Sequence, residues 1–333
     1  MSNNLSLPAV AFDFSGCANR RNTIAAGKMF EVSDRFGNRN AGEDFQRSGG
    51  IFGGLNLIAF CEVTVCGACD AHGDKRSIHI HFLAQAAGAM YKGKYVGTFG
   101  DCGCFSFQYH KTITAGEGGM ILTNDQRLYD RCCSYHDTAA CWRPDRFAEQ
   151  RYEGELFCGS NFRMSELTGA VMLAQLGKLD RLNAAMRKNQ HRIIEQIKET
   201  KGIKVRPCHD PEGDAAICLM FFLDSSDKVA PFVEALNAEG VAAASVFNSG
   251  IPDWHIYAHW KHVIQEKAPT EVKCPYDCPY HQKAPKVEYD ENMNPRTLEY
   301  LSRVVHLDIP PQMSEEDCNM IAKAINKVAA VLA

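Results

Sequence analysis

Segments of strand and helix period alternate from Ala84 to the end of this chain, and that alternation constrains its fold more than any other feature. "CFSF" (104–107) has the length and apolar character of a buried strand, and "GGMILTND" (118–125) reads as a strand running into a turn. "DQRLYDRCCSYH" (125–136) reads as a helix, and a short helix is expected at "AQAAGAMY" (84–91). A long helix is expected over 165–200, where Leu167, Val171, Ala174, Leu179, Leu182 and Met186 recur at helical spacing. Gly169 and Gly177 inside it each cost roughly 1 kcal/mol of helix propensity, which points to close packing there. "GIKVRP" (202–207), "AAICLMFFL" (215–223) and "VAAASVF" (241–247) read as strands around a helix over 226–240. A last helix begins at "SEED", where Ser314 and Asp317 have capping-box spacing. Strands interleaved with helices make an α/β protein.

Residues 1–83 have a different texture. They mix Arg, Gly, Asn and Cys without sustained periodicity; "RFGNRNAGEDFQRSGGIFGG" (35–54) resembles loop, and "LNLIAFCEVTV" (55–65) reads as one strand. The chain therefore divides into an irregular segment 1–83, a larger α/β domain over 84–200 and a smaller one over 201–333, with a Pro- and Cys-rich loop from Glu266 to Arg296.

The formal net charge of −4 provides no basic field for nucleic acid. No apolar run approaches the ~20 residues that span a bilayer. "MSNNLSLPAVAFDF" lacks a basic start followed by an apolar stretch, so no secretory signal is expected. Fifteen cysteines are then reduced thiols in a cytoplasm rather than a disulfide framework.

Lys111 stands between the strand at 104–107 and a glycine-rich turn, in "SFQYHKTITAGEGG". A lysine that forms a Schiff base must be held rigidly where its loop approaches a cofactor. Ser106 and Thr112 offer hydroxyls, and Gly116, Gly118 and Gly119 permit close backbone approach. The same pattern also describes a surface lysine in a strand–turn–strand.

Two longer blocks, "YKGKYVGTFGDCGCFSFQYHKTITAGEGGMILTND" (91–125) and "GSNFRMSELTGAVMLAQLGKLD" (159–180), resemble the DegT/StrS-type sugar aminotransferases in order and spacing. The resemblance runs over roughly 84–333. It implies a pyridoxal 5'-phosphate (PLP)-dependent transferase of fold type I. Such a fold has a large domain with a mixed, mostly parallel sheet, here incomplete at the N-terminus, and a small C-terminal α/β domain. By that resemblance Lys111 carries the Schiff base to PLP, Ser106 binds the cofactor phosphate and Gln85 sits beside the phenolic oxygen. Asn161 reaches the phosphate of a neighbouring subunit's cofactor, implying a homodimer with shared sites. Glu117 braces the lysine loop, and Arg163 is structural as readily as functional. The implied reaction moves an amino group from glutamate or glutamine to a keto-sugar or keto-cyclitol. Its acceptor resembles that of the 8-amino-octulosonate branch or the aminocyclitol branch.

The family places an aspartate three residues before that glutamine, to pair with the pyridine nitrogen. Here the position holds Phe82. The family's Ser-Gly-Thr phosphate turn is not found upstream, where "SGGIFGG" (48–54) is the nearest glycine-rich stretch. Residues 1–83 are thus either a genuine divergent segment or an out-of-frame translation. The corresponding alternative function is a catalytically inactive homologue that dimerises or binds sugar without turnover. Trp254 and His255, in "DWHIYAHWKH", are packing residues or a wall of the acceptor pocket. Cys61, Cys66, Cys69 and His72, and separately Cys274, Cys278 and His281, have loose metal-ligand spacing, and no metal site is expected from either.

Overall fold

The computed structural model describes residues 80–137, 149–245, 253, 256–268, 276 and 288–333. They fall into two compact units, one of residues up to 187 together with 208–217, the other of 188–207 with 218–333. The division thus lies inside the long helix rather than after it at residue 200, and the "DPEGDAA" loop returns to the first unit.

In the first unit, strands β1 (Ile80–Phe82), β4 (Cys102–Ser106) and β5 (Gly119–Thr123) form a sheet in the order β1-β4-β5, while β2 (Met90–Tyr91) and β3 (Lys94–Tyr95) form a small hairpin. β1 runs parallel to β4, with Phe82 opposite Cys104, and β4 runs antiparallel to β5, with Ser106 opposite Gly119. The described sheet is therefore mixed. Side chains alternate across a strand, so Phe105 and Leu122 turn to one face, where they join the buried Leu83, Val96, Phe107, Ile113, Met172 and Leu179. Helix α1 (Gln126–His136) starts at Asp125, whose carboxylate accepts from Leu128 N–H at 2.9 Å.

The expected helix at 84–91 is a pair of turns instead. Gly88 takes φ +74°, and a Cβ there would lie 2.5 Å from Asn183 Nδ2, so the chain reverses before β2 rather than winding on. The expected single helix over 165–200 is two helices, α2 (Glu166–Leu176) and α3 (Leu179–Ile197), parted at Gly177 and Lys178. The stripe of Leu167, Val171 and Ala174 faces outward, with Leu167 82% exposed, while Gly169 and Met172 turn inward. In α3, Leu179 and Met186 are buried as the periodicity requires.

The second unit is an antiparallel sheet in the order β6-β7-β8, built from β6 (Ile203–Val205), β7 (Cys218–Leu223) and β8 (Val304–Asp308). Helices α4 (Val229–Ala238), α5 (Lys261–Ile264), α6 (Pro295–Ser302) and α7 (Glu315–Leu332) complete it. Its core gathers Phe221, Phe232, Leu236, Ile325 and Val305, all fully buried. Phe221 and Phe232 meet edge to face at 5.7 Å, an arrangement that contributes roughly 0.5–1.5 kcal/mol beyond area burial. The capping box at Ser314 and Asp317 is formed as expected. Of "VAAASVF", the described part makes only an isolated bridge, Ala244 to His306, in place of a strand.

Candidate functional site

Two parallel strands end at the same edge of a sheet, and in α/β proteins that edge is where ligands bind. β1 finishes at Phe82 and β4 at Ser106, so the turn carrying Gln85 and the loop carrying Lys111 leave from one edge. β5 enters from the same edge, which adds Glu117 and Gly118.

The lysine loop is held at both its flanks. Phe107 and Ile113 are buried in the core cluster. Between them Lys111 N–H donates to Gln108 C=O at 2.9 Å and His110 N–H to Gln108 Oε1 at 3.0 Å, closing a tight turn. Phe107 C=O accepts from Ala115 N–H and Thr114 Oγ1–H, both at 3.1 Å, and Phe107 N–H donates to Gly118 C=O at 2.9 Å. A half-buried Lys111 thus projects from backbone fixed on either side. Ser106 Oγ, half-buried, accepts from Gln108 N–H at 3.4 Å, leaving its O–H to donate. Gln85 is half-buried in the turn after β1, whose Ala86 N–H donates to Leu83 C=O at 3.1 Å. Phe82 is 46% exposed at the strand end beside them.

Asn161 belongs to another segment. Residues 159–164 are clipped to the end of α1: Ser160 N–H donates to Tyr135 C=O at 2.7 Å and Phe162 N–H to His136 C=O at 2.8 Å. Gly159 is required there, because a Cβ would sit 2.3 Å from Ser134 C=O. Asn161 Oδ1 accepts from Arg163 N–H and Nε–H, both at 3.2 Å, and Arg163 pairs with Asp137 at 3.1 Å. Met164 packs on Gly118 at the end of the lysine loop, and a cavity of about 1070 Å³ between these segments is lined by Cys104, Glu117, Arg131, Tyr135, Phe162 and Arg163, among others. Glu117 thereby faces the cavity wall that Arg163 shares.

Gln85, Ser106 and Lys111 come together at one sheet edge, and Asn161 lies on the neighbouring cavity segment. Trp254 and His255 lie outside the described residues, as do the cysteines and histidines weighed as metal ligands. Among the described residues no group of three His, Cys, Asp or Glu could hold a metal ion, and no helix is long and apolar enough to cross a membrane. Sequence reasoning missed a charge cluster in the same unit. Arg151 donates through Nη2 to Asp130 at 2.7 Å and through Nε to Glu155 at 2.8 Å, and both carboxylates are buried. The only sequence signal for it is the four-residue spacing of Arg151 and Glu155.

The GDP-perosamine synthase of Escherichia coli O157:H7 is 41% identical over 131 residues, 37% of this chain and 34% of that protein. The L-glutamine:2-deoxy-scyllo-inosose aminotransferase of Streptomyces kanamyceticus is 43% identical over 124 residues, 36% of this chain and 28% of that protein. The matched stretch thus spans about a third of the length of these relatives. Among solved structures, E. coli GDP-4-keto-6-deoxy-D-mannose-3-dehydratase with bound hydrated PLP has the same fold, at TM-score 0.58 and 20% identity over 81% of this chain and 65% of that one. The sequence profile of the DegT/DnrJ/EryC1/StrS aminotransferase family matches residues 78–274, more than half of the chain, beginning where the irregular N-terminal segment gives way. The chain belongs to that family.

Proposed function

We propose that this chain carries the lysine half of a PLP-dependent aminotransferase site, moving an amino group from glutamate or glutamine to a keto-sugar or keto-cyclitol. The observation that carries the reading is the convergence of Gln85, Ser106 and Lys111 at the shared end of β1 and β4. Lys111 would tie to the cofactor's aldehyde, Ser106 would donate to its phosphate and Gln85 would stand beside its phenolic oxygen. PLP, when bound, supplies an electron sink for a carbanion; the protein supplies position and electrostatics. The relatives named as GDP-perosamine synthase and scyllo-inosose aminotransferase favour sugar or cyclitol ketones as acceptors, and the latter's name favours glutamine as donor. The eight-carbon keto-sugar acid expected from sequence remains one acceptor of this class. The reading includes a cytoplasmic homodimer whose sites share Asn161.

The donor set does not fit the whole cofactor. It suits the aldehyde, phosphate and phenolic ends, whereas the pyridine nitrogen needs an acidic partner and β1 ends in Phe82. Phe82 favours a second reading, a homologue that holds ligand without turnover.

Isotope transfer separates the two. The protein is incubated with PLP, α-¹⁵N-glutamine and either 2-deoxy-scyllo-inosose or GDP-4-keto-6-deoxymannose. The first reading expects ¹⁵N in the acceptor and none with Lys111→Ala. Ligand binding without ¹⁵N transfer to either acceptor supports the second.

A further inference from the structure

Phe82 pairs with Cys104 across the parallel β1–β4 ladder, so its side chain leaves the same sheet face as Cys104 and Ser106. It stands at the last residue of β1, three residues before Gln85 and on the edge from which the Lys111 loop departs. The described carboxylates flanking this sheet lie away from the end of β1 or line the cavity. Asp101 precedes β4 at the opposite edge, fixed there by its backbone C=O, which accepts from Thr123 Oγ1–H at 2.6 Å. Asp125 caps α1 at that same edge. Glu117 leaves from the Lys111 edge but lines the cavity with Arg131 and Arg163. A pyridine nitrogen keeps its proton at neutral pH through a charge-assisted bond to an anion, and a phenyl ring offers neither charge nor lone pair.

We propose that Phe82 leaves the ring-nitrogen end of the cofactor site without an anionic partner among the described residues, so that this chain holds PLP by its aldehyde, phosphate and phenolic ends and is blind to the ring nitrogen. This rests on reading Lys111 as the cofactor lysine, and it makes position 82 the residue that separates binding from electron withdrawal. A carboxylate at 82 would restore the missing partner without touching Lys111, Ser106 or Gln85.

The test uses the full chain and two ligands: PLP and its 1-deaza analogue, in which carbon replaces the ring nitrogen. Binding is followed by absorbance titration, and attachment at Lys111 by borohydride reduction and peptide mass. The wild-type chain is expected to bind both ligands equally. Phe82→Asp is expected to prefer PLP by about 10- to 100-fold, the contribution of one hydrogen bond to a charged group, while Phe82→Asn stays near wild type. A tenfold or larger wild-type preference for PLP, with Lys111 labelled, overturns the proposal and leaves the lysine reading intact. Equal binding by Phe82→Asp also overturns it. If neither ligand labels Lys111 in the wild-type chain, the lysine reading fails and the proposal falls with it.

Discussion

His306 on β8 is half-buried, with Nε2 3.5 Å from the exposed carboxylate of Asp308. Burial holds its pKa below the ordinary 6.5, outweighing Asp308 and Asp253, which pull it upward. The folded state therefore binds fewer protons at this ring than the unfolded state does. Its contribution is fully present above 6.5 and declines as pH falls toward the folded value, with a slope of at most about 1.4 kcal/mol per pH unit. Melting curves between pH 7.5 and 5.5 should show this acid loss, and His306→Asn should flatten part of it. At this scale Lys111, Ser106 and Gln85 could be named as candidates because a linear pattern carries them. His306 and the Asp130–Arg151–Glu155 cluster could not, because burial and partnership come from tertiary packing.

Removing Arg151 leaves two buried carboxylates without their cation. Arg151→Ala should destabilise the first unit by about 3 kcal/mol in urea denaturation, the lower part of the range for a broken buried pair because Arg151 itself is 45% exposed. The glycines at element ends give opposite signs. Gly177 has φ −63°, and a Cβ there meets nothing nearer than 3.7 Å, so Gly177→Ala should stabilise by roughly 0.4–1 kcal/mol. Gly159→Ala, with its Cβ against the Ser134 carbonyl, should destabilise by more than that. Helix capping was readable as spacing, and Ser314→Ala should cost about 1 kcal/mol through the lost cap on α7. The break between α2 and α3 was not readable, because glycine is tolerated within helices and propensity alone does not separate a packed glycine from a junction. The outward stripe on α2 escaped for a related reason. The helix is apolar nearly all round, so periodicity does not say which side faces the core. α6 and β8 escaped because residues 295–308 follow a long irregular stretch that hid their period.

The α/β class, the lysine loop and the C-terminal helix were legible because local pattern and global fold agree at those elements. The family profile begins at residue 78, at nearly the same point. Everything functional in this molecule depends on whether the Lys111 loop, fixed by Phe107 and Ile113, presents its amine to a cofactor aldehyde. The decisive measurement is borohydride reduction of the PLP-saturated chain followed by trypsin and mass spectrometry. A reduced link blocks cleavage after Lys111, so a phosphopyridoxyl peptide running from Tyr95 to Arg127 is expected, absent in Lys111→Ala. An unmodified Tyr95–Lys111 peptide at full yield, with label elsewhere or nowhere, would contradict this.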